Sequence, residues 1–397
     1  MQAVLLIIDS LGVGALPDAH LYGDEGANTA LHICDTIPQK KWSCLQNLGL
    51  GNCANLLGHN LSGCESAQSP LASYGVMGQA SAGKDTTTGH WELAGIILDQ
   101  PFHTFPLAFP SFPETLVKAF QEQTGFKMLG NKSASGTAII EELGPAHMKG
   151  DGIIVYTSAD SVLQIAAHED VVSLEDLYKV CEIARELCNP YSVARVIARP
   201  FCGVPGQFKR TGARRDFSMA PPKNTILDHL QMNGVKTIGI GKIGDIFKEQ
   251  GLDISFHDTG NQACLARTLD CMETQAGKDQ FVFINLVDTD MLFGHRRNIK
   301  GYHDAVQAID DTLPQIMGLM SKEDILIITA DHGCDPGFKG TDHTREYVPL
   351  LVYQKEGVTK NLGIRSSFCD VAQSLAFFFK VPEMVHGKSF VKQNTNL

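Results

Sequence analysis

At 397 residues, with 43% hydrophobic content and a formal net charge of −11, the chain is long enough for two domains or for one domain with a large insertion. The acidic balance argues against non-specific nucleic-acid binding, which needs a basic face, yet permits phosphorylated small molecules held by a few local cations. Eleven cysteines without a CxxC pair read as reduced thiols, and no signal peptide or transmembrane stretch is evident, so a cytoplasmic protein is expected.

The chain opens with AVLLIID, an apolar run of strand length ending in Asp9. Gly- and Asn-rich loops follow. Within them, Gly78 to Asp85 has the glycine and lysine spacing of a phosphate-binding P-loop. Asp85 stands where that loop needs Ser or Thr, and LASYGVM is a poor strand for it, so the P-loop reading is set aside. The next residues, Thr86 to His90, lie where a loop feeds a helix. A hydroxyl there is either a nucleophile activated by a metal or the cap of a helix beginning near His90.

Prolines cluster at 99–113 and again at Pro221-Pro222. Between these breaks come a strand (GIIVYTSAD), a helix (EDLYKVCEIARELC) and the basic, Gly-rich FCGVPGQFKRTGARRDF. Beyond Pro222, helices and apolar strands alternate: NTILDHLQMNG, then VKTIGIGK ending in Lys242, then FVFINLVDTDMLFGH. YHDAVQAIDDTLPQIMGLM, DILIITAD, YVPLLVY and DVAQSLAFFFK complete the series. Such alternation predicts an α/β fold with a mostly parallel sheet flanked by helices.

Three of the apolar runs end in metal-type residues: Asp9; Asp288 and Asp290 with His295 beyond; and Asp331-His332, with His343 in the following loop. Ligands gather outside the carboxyl ends of strands in such sheets, so Asp9, Asp290, His295, Asp331, His332 and His343 are expected to converge. Six oxygen and nitrogen ligands exceed one tetrahedral ion and suit two divalent metals. Singly, each residue is as well explained by a helix cap or a surface ion pair. His32, His147, His229 and His257 are read as satisfied polar residues. All six candidates avoid the middle of the chain, which suggests a core of residues 1–100 and 222–397 with an inserted α+β cap at 101–221 over a cleft. Arg195, Arg199, Arg210, Arg214 and Arg215, with Lys242, form the one dense basic grouping, either a solvated face or an anion site.

GKDTTTGHWE, TSADSVLQIAAHE, VIARPF, FGHRR and ITADHG…GTDHTREYVPLL resemble the phosphopentomutase family, of the alkaline phosphatase superfamily, almost end to end. The resemblance implies an alkaline-phosphatase-like core that interconverts ribose 1-phosphate and ribose 5-phosphate, and their deoxyribose equivalents, with two manganese ions. It implies that Asp9, Asp331 and His332 hold one ion and Asp290, His295 and His343 the other. Thr86 would carry the transferable phosphate, Asp160 would lie at the substrate site, and Arg195, Arg210 and Lys242 would hold the distal phosphate; Asp288 matches no ligand. A sugar bisphosphate is a candidate activator. Cys334 stands where many relatives of this kind would have Asn. The ligand set alone leaves open a metal-dependent phosphohydrolase, a phosphoglycerate-type mutase, or another divalent metal. The partners expected are small-molecule pentose phosphates, with neither nucleic acid nor membrane.

Overall fold

The computed structural model describes residues 1–158, 160–274 and 279–391. They divide into two compact units, one comprising Met1–Pro101 and the chain from Pro221 onward, the other Phe102–Ala220. In chain order the strands are β1 (Gln2–Ile8), β2 (Ser73–Met77), β3 (Met128–Ser133), β4 (Ile153–Thr157), β5 (Val162–His168), β6 (Arg195–Cys202), β7 (Lys209–Arg210), β8 (Arg215–Ser218), β9 (Lys236–Ile240), β10 (Ile254–Phe256), β11 (Gln280–Leu286), β12 (Ile325–Thr329), β13 (Val348–Tyr353) and β14 (Asn361–Arg365).

In the first unit eight strands form one sheet in the order β10-β9-β11-β1-β12-β13-β2-β14. β1 runs parallel to both neighbours, with Ile8 opposite Leu286 and Ile7 opposite Thr329. Every residue of β1, β11 and β12 is buried. Burial on both faces is why these runs are continuously apolar rather than alternating. The register sets the site: Asp9, Asp290 and Asp331 all leave the sheet at one edge.

The sheet is not parallel throughout. β13 runs antiparallel to β12 and to β2. A strand buried on both faces has the same composition in either direction, so YVPLLVY carried no sign of this. The reversal matters, because it brings the segment preceding Val348, including His343, to the edge where β12 ends. β2 is reversed a second time, so the loop after Met77 arrives there too and feeds the helix Thr86–Leu93.

In the second unit β3-β4-β5-β6-β7 form a second sheet, with β8 also paired to β6. Strand alternation separates its two cores. Val196 and Ala198 pack with Leu116, Phe120, Leu177 and Val180, whereas Phe201 joins Ile139, Ile154 and Tyr156. Among the described residues no helix is long and apolar enough to cross a membrane.

Candidate active site

At the edge beyond β1, β11 and β12, Asp9 and Asp331 are 0% exposed, His332 1% and Asp290 5%. The His332 Nε2 atom lies 3.2 Å from Asp331 Oδ2 and 3.6 Å from Asp9 Oδ1. Asp290 faces two imidazoles, with His295 Nε2 at 3.3 Å from one carboxylate oxygen and His343 Nε2 at 3.4 Å from the other. Ligating atoms of Asp9, Asp331 and His332 lie within 4.8 Å of one another, as do those of Asp290, His332 and His343, and those of Asp290, His295 and Cys334. The six candidates of the strand ends are therefore neighbours in space, with His332 between the two halves.

The local structure aims these atoms. Asp290 sits in a single turn of π-helix, Thr289–Gly294, which His295 closes; one-turn π segments commonly mark functional sites. His295 Nδ1 lies 2.7 Å from the Thr341 carbonyl and His332 Nδ1 lies 3.1 Å from the Gly333 carbonyl. Each ring thus donates backward from Nδ1 and turns Nε2 toward the site, as a ligating histidine does when its other nitrogen is held by a carbonyl. Ser10, held at φ 67°, donates its backbone N–H to Asp331 Oδ1 at 3.1 Å. Asp288 plays a different part. Its carboxylate accepts from the Asn261 N–H at 2.8 Å, at the start of the helix Asn261–Glu273.

The electrostatics call for a cation. Burial, and then the Asp331 and Asp290 carboxylates, raise the Asp9 pKa well above the ordinary range. Burial opposes charge on His332 as well, yet Asp331 and Asp9 outweigh it and push its pKa up to about 10. The hydrogen bond to Asp290 pushes His295 up to about 9. Asp9 Oδ1, Asp290 Oδ1, Asp331 Oδ2 and His343 Nε2 are buried without a hydrogen-bond partner. Four converging buried polar atoms would be costly if left so. Divalent metal ions fit this donor set, and they would take the place of the protons now favoured on the histidines.

Thr86 opens the helix Thr86–Leu93, and its Oγ1 lies 3.1 Å from His332 Nε2. The cap of this helix is Asp85, which accepts from the Thr88 N–H at 3.0 Å and the Thr88 hydroxyl at 2.6 Å. The helix starts four residues before His90, and the Thr86 hydroxyl is not spent on capping. Gly89 lets this helix approach the metal edge, because a Cβ there would sit 2.1 Å from the Asp331 carbonyl oxygen. Lys84 binds Asp24 at 2.9 Å, a structural ion pair rather than a phosphate contact.

Two charged residues that the sequence did not single out hold the Thr86 loop. Arg345, 3% exposed, donates to the Ser81 and Gly83 carbonyls at 2.9 and 2.6 Å and pairs with Asp18 at 2.9 Å. Buried Glu92 accepts from the Ala80 and Ser81 N–H groups at 2.9 and 2.7 Å and from Ser367 and Phe368 of a later segment. Buried charge in a motif is the signal that would have found both: Arg345 lies inside GTDHTREY and Glu92 inside GHWEL.

Lys242 follows β9, opens the helix Ile243–Phe247, and its charge lowers the Asp9 pKa. Asp160, Arg195 and Arg210 belong to the second unit. There Arg195 lies 3.9 Å from Asp160 and 3.6 Å from Asp216. Arg214 pairs with Asp216 at 2.7 Å, and Arg215 lies over the Tyr178 and Phe217 rings. Among the described residues, Arg199 and Arg210 have no carboxylate partner. The basic grouping is thus partly self-neutralised. His32 and His147 have the satisfied surroundings expected of them, with Asp335 and with the Gly152 carbonyl respectively.

A buried Asp/His edge on an α/β sheet defines a metal-dependent enzyme, and the comparisons agree: the family model described as Metalloenzyme superfamily matches residues 1–383, so the chain is a member of that superfamily. It is 49% identical over 398 residues to the phosphopentomutase of Caldanaerobacter subterraneus subsp. tengcongensis, covering 99% of this chain and 98% of that one. It is 50% identical over 395 residues to the phosphopentomutase of Carboxydothermus hydrogenoformans, covering 98% of each. The chain belongs to the phosphopentomutase family. The fold also aligns with the PH0037 protein from Pyrococcus horikoshii, at a TM-score of 0.50 and 13% identity, over 97% of this chain and 99% of that one.

Proposed function

We propose that this chain is an isomerase that interconverts ribose 1-phosphate and ribose 5-phosphate, and the 2-deoxyribose equivalents. Relatives of this name, nearly half identical over nearly the whole chain, support the activity. The observation that carries the mechanism is the Thr86 hydroxyl, uncommitted to capping and 3.1 Å from His332 Nε2 at the edge of the acidic cluster.

In this reading Thr86 holds a phosphoryl group on Oγ1 between turnovers. A free hydroxyl of the pentose monophosphate attacks that phosphorus. The Oγ1–P bond breaks, a P–O bond to the sugar forms, and the sugar hydroxyl's proton passes to Thr86. The resulting pentose 1,5-bisphosphate turns, or leaves and rebinds, and returns its other phosphoryl group to Thr86. Two divalent cations, manganese by resemblance, would be held by Asp9, Asp331 and His332 and by Asp290, His295 and His343, and would stabilise the attacking and leaving oxygens and acidify the threonine hydroxyl. Asp85, Arg345 and Glu92 fix the loop and helix that present Thr86, which supplies orientation.

Asp160, Arg195 and Arg210, with Lys242, are assigned the non-reacting sugar phosphate; their charge and the family motifs support this. The second unit is assigned the role of a cap that excludes water, the acceptor that would turn a mutase into a phosphatase. A cytoplasmic location accords with the eleven cysteines, all free thiols. The test is to follow isomerised sugar phosphate against free phosphate from ribose 1-phosphate on manganese-reconstituted protein. Predominant isomerisation is expected; predominant free phosphate would make the chain a hydrolase.

A further inference from the structure

One buried polar pair at the site has no part in that phosphoryl transfer. His90 and Asn285 are both 0% exposed. Asn285 lies on β11, and its Nδ2 is 2.9 Å from Asp9 Oδ2 and 3.0 Å from His90 Nε2. On the other side of the ring, His90 Nδ1 is 2.9 Å from the Thr86 carbonyl oxygen and 3.1 Å from Asp331 Oδ2. Phe283, two residues before Asn285 and so on the same face of β11, stacks on the imidazole at 5.8 Å between centroids and 27° between planes.

With Asp9 ionised, these contacts admit one arrangement of protons. The Asp9 carboxylate can only accept, so the Asn285 atom facing it is the NH2 group. That same NH2 group faces His90 Nε2, which must therefore accept. Nδ1, facing a carbonyl and a carboxylate, carries the ring's proton. The Asn285 Oδ1 atom, left buried without a partner, shows the amide oriented by the demand at its other end.

We infer that His90 and Asn285 are positioning residues that tie the helix carrying Thr86 to Asp9 and Asp331. The path runs from Asp9 through the Asn285 amide and the His90 ring to the Thr86 carbonyl. It fixes the Asp9 carboxylate and the first turn of the nucleophile's helix as one unit. Neither residue reaches the reacting atoms; each acts through a neighbour. The inference rests on reading Asp9 and Asp331 as ligands of a divalent cation. Losing the hydrogen-bond partner of a metal ligand costs roughly 10–100-fold in affinity, and residues in one hydrogen-bonded chain couple rather than add.

The experiment is calorimetric titration of Mn2+ into full-length wild type, His90→Leu, Asn285→Leu and the double variant, with thermal melts as folding controls. Each single variant should lose roughly 10–100-fold at one binding step. The step belonging to Asp290, His295 and His343 should keep wild-type affinity, which a general packing defect would not spare. The double variant should lose little more than either single one. His90→Gln, whose amide oxygen can accept from Asn285, should recover most of the affinity, and it serves as the probe if the leucine variants fail to fold. In turnover, kcat should fall with KM for the pentose phosphate unchanged. Wild-type protein that takes up no Mn2+ would remove the ligand reading itself. Wild-type uptake with unchanged affinity in the single variants, with losses that multiply in the double, or with no recovery in His90→Gln, would overturn this inference alone.

Discussion

The two halves of the acidic site are held differently. Asp9, Asp331 and His332 are fully buried; Asp9 follows β1, locked between two parallel neighbours, and Asp331 follows β12, locked between parallel β1 and antiparallel β13. The His295 and His343 side chains are 37% and 15% exposed, and they are carried by a π-helical turn and a loop. The first half is anchored to the interior of the sheet and to the Thr86 helix. The second keeps Asp290 buried but rests its two histidines on a π-helical turn and a loop. The difference is one of burial: one half is sealed beside the Thr86 helix, and the other carries two more exposed histidines.

The strongest way to break this comparison is at Thr86. Thr86→Ala should lower mutase turnover by roughly 10⁴-fold or more, the scale on which loss of a catalytic nucleophile acts. Melting temperature and metal content should be unchanged. A Thr86→Ala protein of near-normal activity would remove the phosphothreonine step.

Ligand substitutions should sharpen the comparison next. Asp331→Asn should cost one Mn2+ step more than the roughly 10–100-fold lost when only a ligand's hydrogen-bond partner is removed. It should also destabilise the protein, because the amide NH2 that replaces Oδ2 cannot accept from the His90 Nδ1 and His332 Nε2 atoms 3.1 and 3.2 Å away. His295→Ala should weaken the other step but leave the melting temperature close to that of wild type. Equal destabilisation by the two would contradict that difference.

Gly89→Ala tests the anchoring of the Thr86 helix. With Asp331 O only 2.1 Å from the new methyl group, overpacking should cost about 1–3 kcal/mol, read by denaturant unfolding. A neutral result would mean that the helix has room to shift.

The pH dependence gives a further test. His332 and His295, with pKa values raised to about 10 and about 9, hold protons through neutral pH in the metal-free protein. Binding must displace those protons, so Mn2+ affinity should rise with pH between about 6 and 9, by about tenfold per unit for each proton released. Titrations in buffers of different ionisation enthalpy count the protons. No dependence on buffer would contradict the proton competition.

Much of this edge was legible in the sequence because buried parallel strands are apolar until they stop, and the first polar residue past the stop is conspicuous. Asp9 and Asp331 stood out in that way; past β11 the first such residue is Asp288, and the family resemblance is what set it apart from Asp290. His343 was read as a ligand in the loop after β12; what returns it to the same edge is the reversed β13, and a strand buried on both faces gives no sign of its direction. The capping of the Thr86 helix was legible in principle, since Asp85 and Thr88 have cap-and-N3 spacing, yet a run of three threonines obscured it. Asn285 and His90 could not be read at all. Each looks like an ordinary strand or helix residue, and their pairing exists only once β11 and the Thr86 helix are side by side.

The whole mechanism depends on Thr86 carrying the phosphoryl group. The most direct test is peptide mass spectrometry of manganese-reconstituted protein quenched during turnover of ribose 5-phosphate primed with ribose 1,5-bisphosphate. One phosphorylated site is expected, at Thr86, formed and discharged at a rate no slower than turnover. Full turnover with Thr86 unmodified, or phosphate on Thr87 or Thr88 instead, would contradict it.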